Sequence, residues 1–411
     1  MNRHTRNSFP RRIATARVEH DLTFGIEEEF FLVDPTSCDL SADVPASYLR
    51  DCRLELGDRV GEELLRPQIE TTTPVLHSAT EARESLLGIR RRLADLTARH
   101  GMRLVAAGTH PFGAWQDQKH TRKPRYARLI DDFQIVGRRN LFCGLHVHVG
   151  VPEGFDRVDV MNRLMPWVPV FLALSTSSPF WNGHNTGLLS YRQAAYDEWP
   201  RSGIPDSFAD EAEYDAFVRL LASCGALDDG SSLWWAVRPS ARFPTLELRV
   251  ADACTRAQDA LAIAAAFRCL VRAHLRRPEL GARRSAISRR VIEENRWRAK
   301  RYGTGAEFID EAAGTTCGFA TLLDDLLDLI APDARALACE SDVAQLRAIL
   351  RRGTSAHSQL AVYRHERAQC RTREEALTQV VDWLARATAV EPATPSSGML
   401  GPQLAEGAAI A

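Results

Sequence analysis

The sequence predicts an α+β fold in which a curved antiparallel sheet carries the functional groups. Segments 23–33, 63–74, 142–151 and 244–252 alternate apolar and polar residues, as strands with one buried face do. On each of them Glu, His or Arg lies opposite the apolar side chains, so pairing of the four strands would gather these groups on the concave side. From about residue 280 to 387 the spacing is helical, which fits either a helical subdomain or an outer layer over the sheet.

Length, charge and cysteine content limit the class of protein. A chain of 411 residues can hold two domains or one large domain with a helical appendage. The net charge of −1 argues against nucleic-acid and membrane partners, and no run of 18 apolar residues could span a bilayer. The nine cysteines are scattered without metal-binding spacing, as expected in a reducing compartment, so we expect a cytoplasmic protein.

The composition of the two ends divides the chain. Residues 1–21 are rich in arginine and lack an apolar signal segment, which predicts a disordered basic arm. Residues 388–411 are rich in Ala, Pro, Gly and Ser and are expected to be a disordered tail. We expect the catalytic domain to occupy residues 22–387.

The first strand shows the pattern most clearly. Glu27 and Glu29 share one face at a spacing of ~7 Å, where two carboxylates repel each other unless cations lie between them. Because Phe31 and Val33 continue this face with apolar side chains, we interpret it as the wall of a cavity rather than a solvated surface. Glu28 falls on the core side and is expected to pair with an arginine. The other core-facing residues are Phe24, Ile26, Phe30 and Leu32.

The elements that follow are predicted from caps and spacing. Residues 36–62 form a polar connection of undefined structure, and Pro67 makes the strand that follows an edge strand or one entered through a turn. Ser78 and Glu81 match a capping box for a helix that Gly101 ends. Residues 111–140 are polar and are expected to form a surface loop or a mobile flap. The patterns of the later segments predict strands at 103–108 and 233–239. They predict mostly helix at 193–232 and helices at 156–175, 255–275, 292–301, 320–330, 343–352 and 356–387. Thr255 and Gln258 match a second capping box, at the start of the 255–275 helix.

The polar face suits hard divalent cations. Glu27, Glu29, Glu70 and Glu247, with His146, favour Mg²⁺ or alternatively Mn²⁺ over Zn²⁺, and two or three ions are needed to balance the charge. Several such ions suit a nucleoside triphosphate, and the sequence has no GxxxxGK[ST] loop to bind one.

The remaining polar residues on these strands would assist the ions. Arg249 is placed to bind phosphate or to pair with Glu247, and His148 is placed to hydrogen-bond substrate or to orient a carboxylate. A kinase or zinc hydrolase on the same sheet, and a non-catalytic metal-binding protein, remain open alternatives.

Five motifs taken together resemble the type 2 glutamate–cysteine ligases, also called carboxylate–amine ligases. They are FGIEEEF at 24–30, GLHVHVG at 144–150, SPFW at 178–181, LELR at 246–249 and ENRWR at 294–298. The resemblance covers about residues 22–387. It implies the glutamine synthetase-like catalytic fold, with helices on the convex side of the sheet, and a homodimer or larger assembly. It also implies ATP-dependent ligation of the γ-carboxylate of L-glutamate to the amine of L-cysteine or a related amine.

The resemblance also implies roles for individual residues. Glu27, Glu29, Glu70, His146 and Glu247 would be metal ligands, with Glu63 a further candidate. Glu247 and Arg249 would be catalytic, and Arg249 would contact the γ-phosphate of ATP. Asn295 and Arg298 would contact the nucleotide, and Arg192, His148 and Trp181 would contact substrate.

Overall fold

The structure, a computed structural model, describes residues 22–281 and 285–389. Its strands are β1 (Phe24–Val33), β2 (Val60–Glu62), β3 (Gln68–Thr72), β4 (Arg103–Val105), β5 (Gly144–Gly150), β6 (Phe180–Trp181), β7 (His184–Asn185), β8 (Ser202–Gly203), β9 (Trp234–Trp235), β10 (Val237–Pro239), β11 (Thr245–Asp252), β12 (Glu307–Asp310) and β13 (Thr315–Gly318). Its helices are α1 (Ala46–Leu56), α2 (Ala79–Arg99), α3 (Pro124–Arg138), α4 (Arg157–Leu164), α5 (Val168–Ser175), α6 (Tyr191–Tyr196), α7 (Glu211–Ser223), α8 (Ala257–Arg276), α9 (Ala286–Tyr302), α10 (Phe319–Ala336), α11 (Glu340–Arg352), α12 (Ser355–Ala368) and α13 (Arg373–Ala389).

A seven-stranded antiparallel sheet organises the fold and confirms the predicted class. Its strand order is β10-β11-β5-β1-β3-β2, and β4 pairs with the far end of β1. The register sets Glu27 opposite His146, Glu29 opposite Glu70, and Glu247 opposite His148. β3 is therefore an interior strand entered through a turn, and β2 forms that edge of the sheet.

The two faces of the sheet are packed differently. The apolar side chains of β1, β5 and β11 join α5 and α8 in the largest hydrophobic cluster, so helices cover this face. On the opposite face, Phe31 and Val33 pack with Val105 and with Val380 of α13 in a second cluster. This second cluster closes the far end of the polar face, as expected from the apolar end of β1.

Several predicted boundaries were wrong. Residues 36–62 contain α1 and β2. The segment 356–387 is two helices, because Cys370 between them adopts a φ of 60° that a helix cannot continue. Thr255 does not cap α8: its hydroxyl donates to the carbonyl of Ala106, and Arg256 precedes the helix without a side-chain cap.

The predicted arm and tail lie mostly outside the described residues. Residues 1–21 and 390–411 are outside them, whereas α13 continues to Ala389, past the expected start of the tail at 388. Thr388 secures this last turn by accepting from the backbone N–H of Ala106 and donating to the carbonyl of Leu384. None of the helices in residues 22–281 and 285–389 is long and apolar enough to cross a membrane.

A buried ion pair fixes β1 to α2. Arg90 donates from Nε to Glu28 Oε2 at 2.8 Å and from Nη2 to Glu28 Oε1 at 2.5 Å. Its remaining donors reach the carbonyls of Cys254 and Thr255, just before α8. The expected arginine partner of Glu28 is confirmed, and the pair joins three elements at the back of the sheet.

Replacing Glu28 should destabilise the fold strongly. Glu28→Ala leaves the buried Arg90 guanidinium without its counter-charge, which costs on the order of 3–5 kcal/mol in the free energy of unfolding. Urea denaturation measures the loss. Asp206→Ala, which breaks the exposed pair with Arg289, is the control and should cost less than about 1 kcal/mol. Equal losses in the two variants would contradict the anchoring role.

Candidate metal and phosphate site

The polar groups of four strands line one cavity of about 260 Å³. Each projects from the face opposite the apolar one, as strand alternation requires. The sequence-predicted residues that the cavity gathers are Glu27, Glu29, Glu63, Glu70, His146, His148, Glu247 and Arg249.

Potential ligand atoms in this cavity form three overlapping groups. Within each group the atoms lie no more than 4.8 Å apart, a spacing that one cation can bridge. The groups are Glu27 with Glu70 and His146, Glu27 with His148 and Glu247, and Glu29 with Glu63 and Glu70. Because they share members and run along one wall, they could hold neighbouring cations.

The carboxylates at the Glu63 end repel one another. Burial and the charge of Glu29 raise the pKa of Glu63 to about 8. Burial and the charge of Glu63 likewise raise the pKa of Glu70 well above its ordinary value. Half-buried acids in such proximity favour a bound cation, which would stabilise their ionised forms. The donor set is rich in oxygen and therefore fits Mg²⁺.

The two histidines on β5 differ in environment. His146 Nδ1 lies 3.2 Å from Glu27 Oε2, and its buried Nε2 has no hydrogen-bond partner among the described residues. Burial and the charge of Arg249 lower the pKa of His146, which keeps the imidazole neutral, as a metal ligand must be. His148 is held between Thr245 Oγ1 at 3.0 Å and Glu27 Oε1 at 3.2 Å.

These histidines also determine the charge of Glu27. Burial alone would raise the pKa of Glu27, but hydrogen bonds with His146 and His148 hold it far below its ordinary range. Glu27 is thus an ionised carboxylate that belongs to two of the three groups. This makes it the central oxygen donor of the wall.

Arginines dominate the opposite end of the wall. Arg249 pairs with Glu247, and Arg238 donates from Nε to Glu247 Oε2 at 2.7 Å. These two guanidinium groups overcome the effect of burial and hold the pKa of Glu247 well below its ordinary value. Arg249 Nε has no hydrogen-bond partner in the described parts of the chain. This end of the cavity therefore suits an anion such as phosphate.

The sequence interpretation missed Arg238. It faces Glu247 across the β10–β11 pair, and its neighbour Val237 is buried in the core. The alternation of Val237, Arg238 and Pro239 in the predicted strand 233–239 could have placed Arg238 on the polar face. The sequence does not identify a pairing partner for that strand, so its register is not predicted.

Residues of the predicted flap and of the segment 193–232 cover the cavity. Arg125, Tyr126 and Leu129 of α3 line it, together with Trp199 and Trp234. Phe133 of α3 contacts both tryptophans, with ring centroids 5.1 and 5.5 Å away. Sequence alone gave no signal for these aromatic contacts, because they join segments far apart along the chain.

Arg192 and Trp181 lie on the same side of the sheet as the cavity, but neither is in its lining. Arg192 is buried, donates to the carbonyl of Ala251 at 3.1 Å and lies under the ring of Tyr196. A Cβ atom at Gly144 would stand 2.9 Å from Arg192 Cζ, so this close approach requires glycine. Trp181 is buried and stacks on Tyr191 at 5.4 Å.

Asn295 and Arg298 are not brought to the cavity. The Asn295 amide exchanges two hydrogen bonds with the backbone of Ile309 on β12. Arg298 pairs with Glu294 and donates to the carbonyl of Glu307. Both side chains connect α9 to the small β12–β13 hairpin.

Sequence comparison identifies a family along most of the chain. The model of glutamate–cysteine ligase family 2 matches residues 23–382. A relative from Rhodospirillum rubrum, provisionally named glutamate–cysteine ligase 2, is 47% identical over 388 residues, covering 93% of this chain and 100% of that protein. A relative with the same provisional name from Ectopseudomonas mendocina is 48% identical over 373 residues, covering 90% and 98%.

Solved structures share the fold at low sequence identity. A glutamate–cysteine ligase from Francisella tularensis, determined in complex with AMP, has a TM-score of 0.66, 11% identity and 90% coverage of each chain. A bifunctional glutathione synthetase from Pasteurella multocida has a TM-score of 0.65 and 13% identity, covering 92% of this chain and 54% of that one. These likenesses support the glutamine synthetase-like fold.

Mg²⁺ should stabilise the protein through the acidic end of the wall. At about a hundred-fold excess over its dissociation constant, a cation that binds the native state alone adds about 2.7 kcal/mol. Glu70→Gln removes one repelling carboxylate, so it should raise the thermal midpoint without Mg²⁺ and reduce the shift that Mg²⁺ causes. Thermal unfolding with Mg²⁺ and with EDTA measures both effects.

The control is Glu374→Gln, at a position whose side chain is 83% exposed on α13. This variant should keep the wild-type response to Mg²⁺. A full Mg²⁺ response in Glu70→Gln would show that Glu70 does not contribute to cation binding.

Proposed function

The chain belongs to glutamate–cysteine ligase family 2, and we propose that it joins the γ-carboxylate of L-glutamate to the amine of L-cysteine or a related amine, with conversion of ATP to ADP and phosphate. The observation that carries the proposal is the distribution of charge along the wall, which is acidic at one end and rich in arginine at the other. The Glu29–Glu63–Glu70 group occupies one end, the Arg238–Glu247–Arg249 cluster occupies the other, and Glu27 belongs to the two groups between them. A triphosphate with divalent cations matches both parts.

Two or three Mg²⁺ ions would be held by Glu27, Glu29, Glu70, His146 and Glu247, with Glu63 as a further ligand. Bound there, the ions would neutralise phosphate charge and align the triphosphate. Mn²⁺ prefers similar ligands and could replace Mg²⁺. His148, fixed by Thr245 and Glu27, would orient the shared Glu27 carboxylate.

Arg249 would stabilise the phosphoryl group during transfer. It lies beside Glu247, and its Nε, which has no hydrogen-bond partner within residues 22–281 and 285–389, is left as a donor for a phosphate oxygen. Arg238 would keep Glu247 in place from the other side. Glu247 would act as the link between the cation groups and the two arginines.

Phosphoryl transfer makes the chemistry feasible because a carboxylate has a poor leaving group. Transfer of the γ-phosphoryl group to the glutamate γ-carboxylate gives an acyl phosphate. The free amine then attacks the acyl carbon, phosphate leaves, and the amine loses a proton. No covalent bond to the protein is required.

The acyl phosphate must be shielded from water, and residues 111–140 are the proposed closing segment. Arg125, Tyr126 and Leu129 already line the cavity from α3. The helix is broken at Gln134, where φ is 47°, so the part nearer the cavity can reorient relative to the rest.

The buried Arg192 and Trp181 would support the wall from beside the cavity. Arg192 supports the Gly144 backbone, whose N–H donates to Glu29 at 2.5 Å. We propose a positioning role for Arg192 rather than direct contact with a substrate carboxylate. Asn295 and Arg298 would hold the β12–β13 hairpin in place.

The proposed setting is the cytoplasm, where ATP and reduced thiols are both available. The Francisella tularensis ligase was solved with AMP, which supports a nucleotide in the corresponding fold. We also propose a homodimer or larger assembly, as the family resemblance implies. The proposed acceptor is an amine of the class that includes L-cysteine.

The ligase reaction should depend on all its components at once. ADP release should require Mg²⁺, L-glutamate and an amine together, and mass spectrometry should detect the amide product. A panel of amines that includes L-cysteine identifies the acceptor. ADP formation at an unchanged rate without amine would overturn the ligase proposal and favour a kinase or phosphatase.

Arg249→Lys should reduce kcat by about 10²–10³-fold, because lysine keeps the charge but lacks the planar fork that binds phosphate oxygens. Steady-state ADP release measures this loss. Arg219→Lys, at an exposed position on α7, is the matched control and should retain wild-type kcat. Equal kcat values in the two variants would exclude the phosphoryl role of Arg249.

A further inference from the structure

Two buried cysteines lie close together behind the sheet. The Sγ atoms of Cys269 and Cys339 are 3.4 Å apart, and both residues belong to the apolar cluster on the helical side. Cys269 is in α8, and Cys339 directly precedes α11. The cysteines in the described residues are free thiols. Neither member of the pair lines the cation cavity.

The backbone holds Cys339 firmly in this position. Ala338 adopts a φ of 49°, the left-handed conformation that ends a helix, and the N–H of Cys339 donates to the carbonyl of Ala334 in α10. The carbonyl of Cys339 accepts from the N–H groups of Asp342 and Val343 at the start of α11. Backbone hydrogen bonds to α10 and α11 thus hold the turn that contains Cys339, and this turn places the sulfur against α8.

We propose that Cys269 and Cys339 form an oxidisable dithiol that closes to a disulfide on reaction with a peroxide. A disulfide bond is about 2.0 Å long, so the two sulfur atoms must approach by roughly 1.4 Å. Small rotations of the two side chains, shared between them, provide this movement.

The reaction balances with hydrogen peroxide as the oxidant. The Cys339 thiolate attacks one peroxide oxygen, the O–O bond breaks, and the leaving hydroxide takes a proton to give water and a sulfenic acid. The Cys269 sulfur then attacks the Cys339 sulfur, the S–O bond breaks, and a second water leaves with the Cys269 proton. The two cysteines lose two electrons, and the peroxide gains them.

Charge and access favour Cys339 as the attacking sulfur. The hydrogen bond from Cys269 and the nearby Arg268 guanidinium lower the pKa of Cys339 despite its burial. Burial raises the pKa of Cys143 and Cys254 well above the ordinary value. A small cavity borders Cys339 and Arg268, and its volume of about 10 Å³ is close to the least that holds one water molecule. Movement of the side chains around this cavity would admit a peroxide to the Cys339 sulfur.

The disulfide would join elements that are distant in sequence. Cys269 and Cys339 are 70 positions apart, and α8 packs against both α10 and α11. A cross-link over such a loop restricts the unfolded chain and so stabilises the native state. Oxidation would therefore lock the helical layer behind the sheet and would be reversed by a reducing thiol.

The experiment uses the full chain with the exposed Cys224 and Cys370 replaced by Ser, which prevents intermolecular linkage. The protein is treated with hydrogen peroxide, alkylated and digested. Mass spectrometry should find the peptides of Cys269 and Cys339 linked, with the loss of two hydrogens, and dithiothreitol should separate them. Oxidation should also raise the thermal midpoint by several degrees.

Cys339→Ser in the same background should lose both the linkage and the thermal shift. Cys317→Ser, a matched substitution on β13, should keep both. If Cys339→Ser does not fold, as judged by its melting curve, Cys269→Ala tests the same pair. Linkage between other cysteines, or oxidation of Cys339 to sulfinic acid without linkage, would overturn the proposal.

Discussion

The repulsion among carboxylates on one buried wall is the constraint on which this structure depends. Glu29, Glu63 and Glu70 lie within 4.8 Å of one another at their nearest oxygens, and burial and the neighbouring charges raise the pKa of Glu63 and of Glu70. Glu29 on β1 and Glu70 on β3 are paired directly across the sheet, and Glu63 lies in the connection that leads from β2 to β3. The backbone hydrogen bonds of the β1–β3 pair therefore hold Glu29 and Glu70 in place against their repulsion.

The charge of the wall changes from the β2–β3 side to the β11 side. In the described part of the chain, the cavity-lining acids at the β2–β3 side form no ion pair with an arginine, whereas Glu247 at the β11 side contacts both Arg238 and Arg249. Glu27 lies between them and is held ionised by two imidazoles. A ligand that carries phosphate and cations has only one favourable orientation in such a field, with its anionic end toward β11.

The alternation of side chains between the two faces of each strand allowed much of this wall to be predicted. It placed Glu27, Glu70, His146 and Glu247 on one face, because the apolar partner residues in each strand were unambiguous. Strand order and register came only from the structure, since they depend on contacts between distant segments. Arg238 was missed for that reason. Helical segments are harder to interpret, because any polar residue suits an exposed helix face, and Asn295 and Arg298 proved to bind a neighbouring hairpin.

The three consecutive glutamates of β1 have different roles, because they lie on different faces of the sheet and contact different groups. Glu28 points to the core, where Arg90 neutralises it and makes it part of the scaffold. Glu27 and Glu29 point to the cavity, yet they differ: histidines hold the charge of Glu27, and the Gly144 N–H binds Glu29. A shift of the β1 sequence by one residue would keep the composition and would remove both the Glu28–Arg90 pair and the acidic lining of the cavity. The chemistry of this chain therefore depends on strand register as much as on the number of acids it carries.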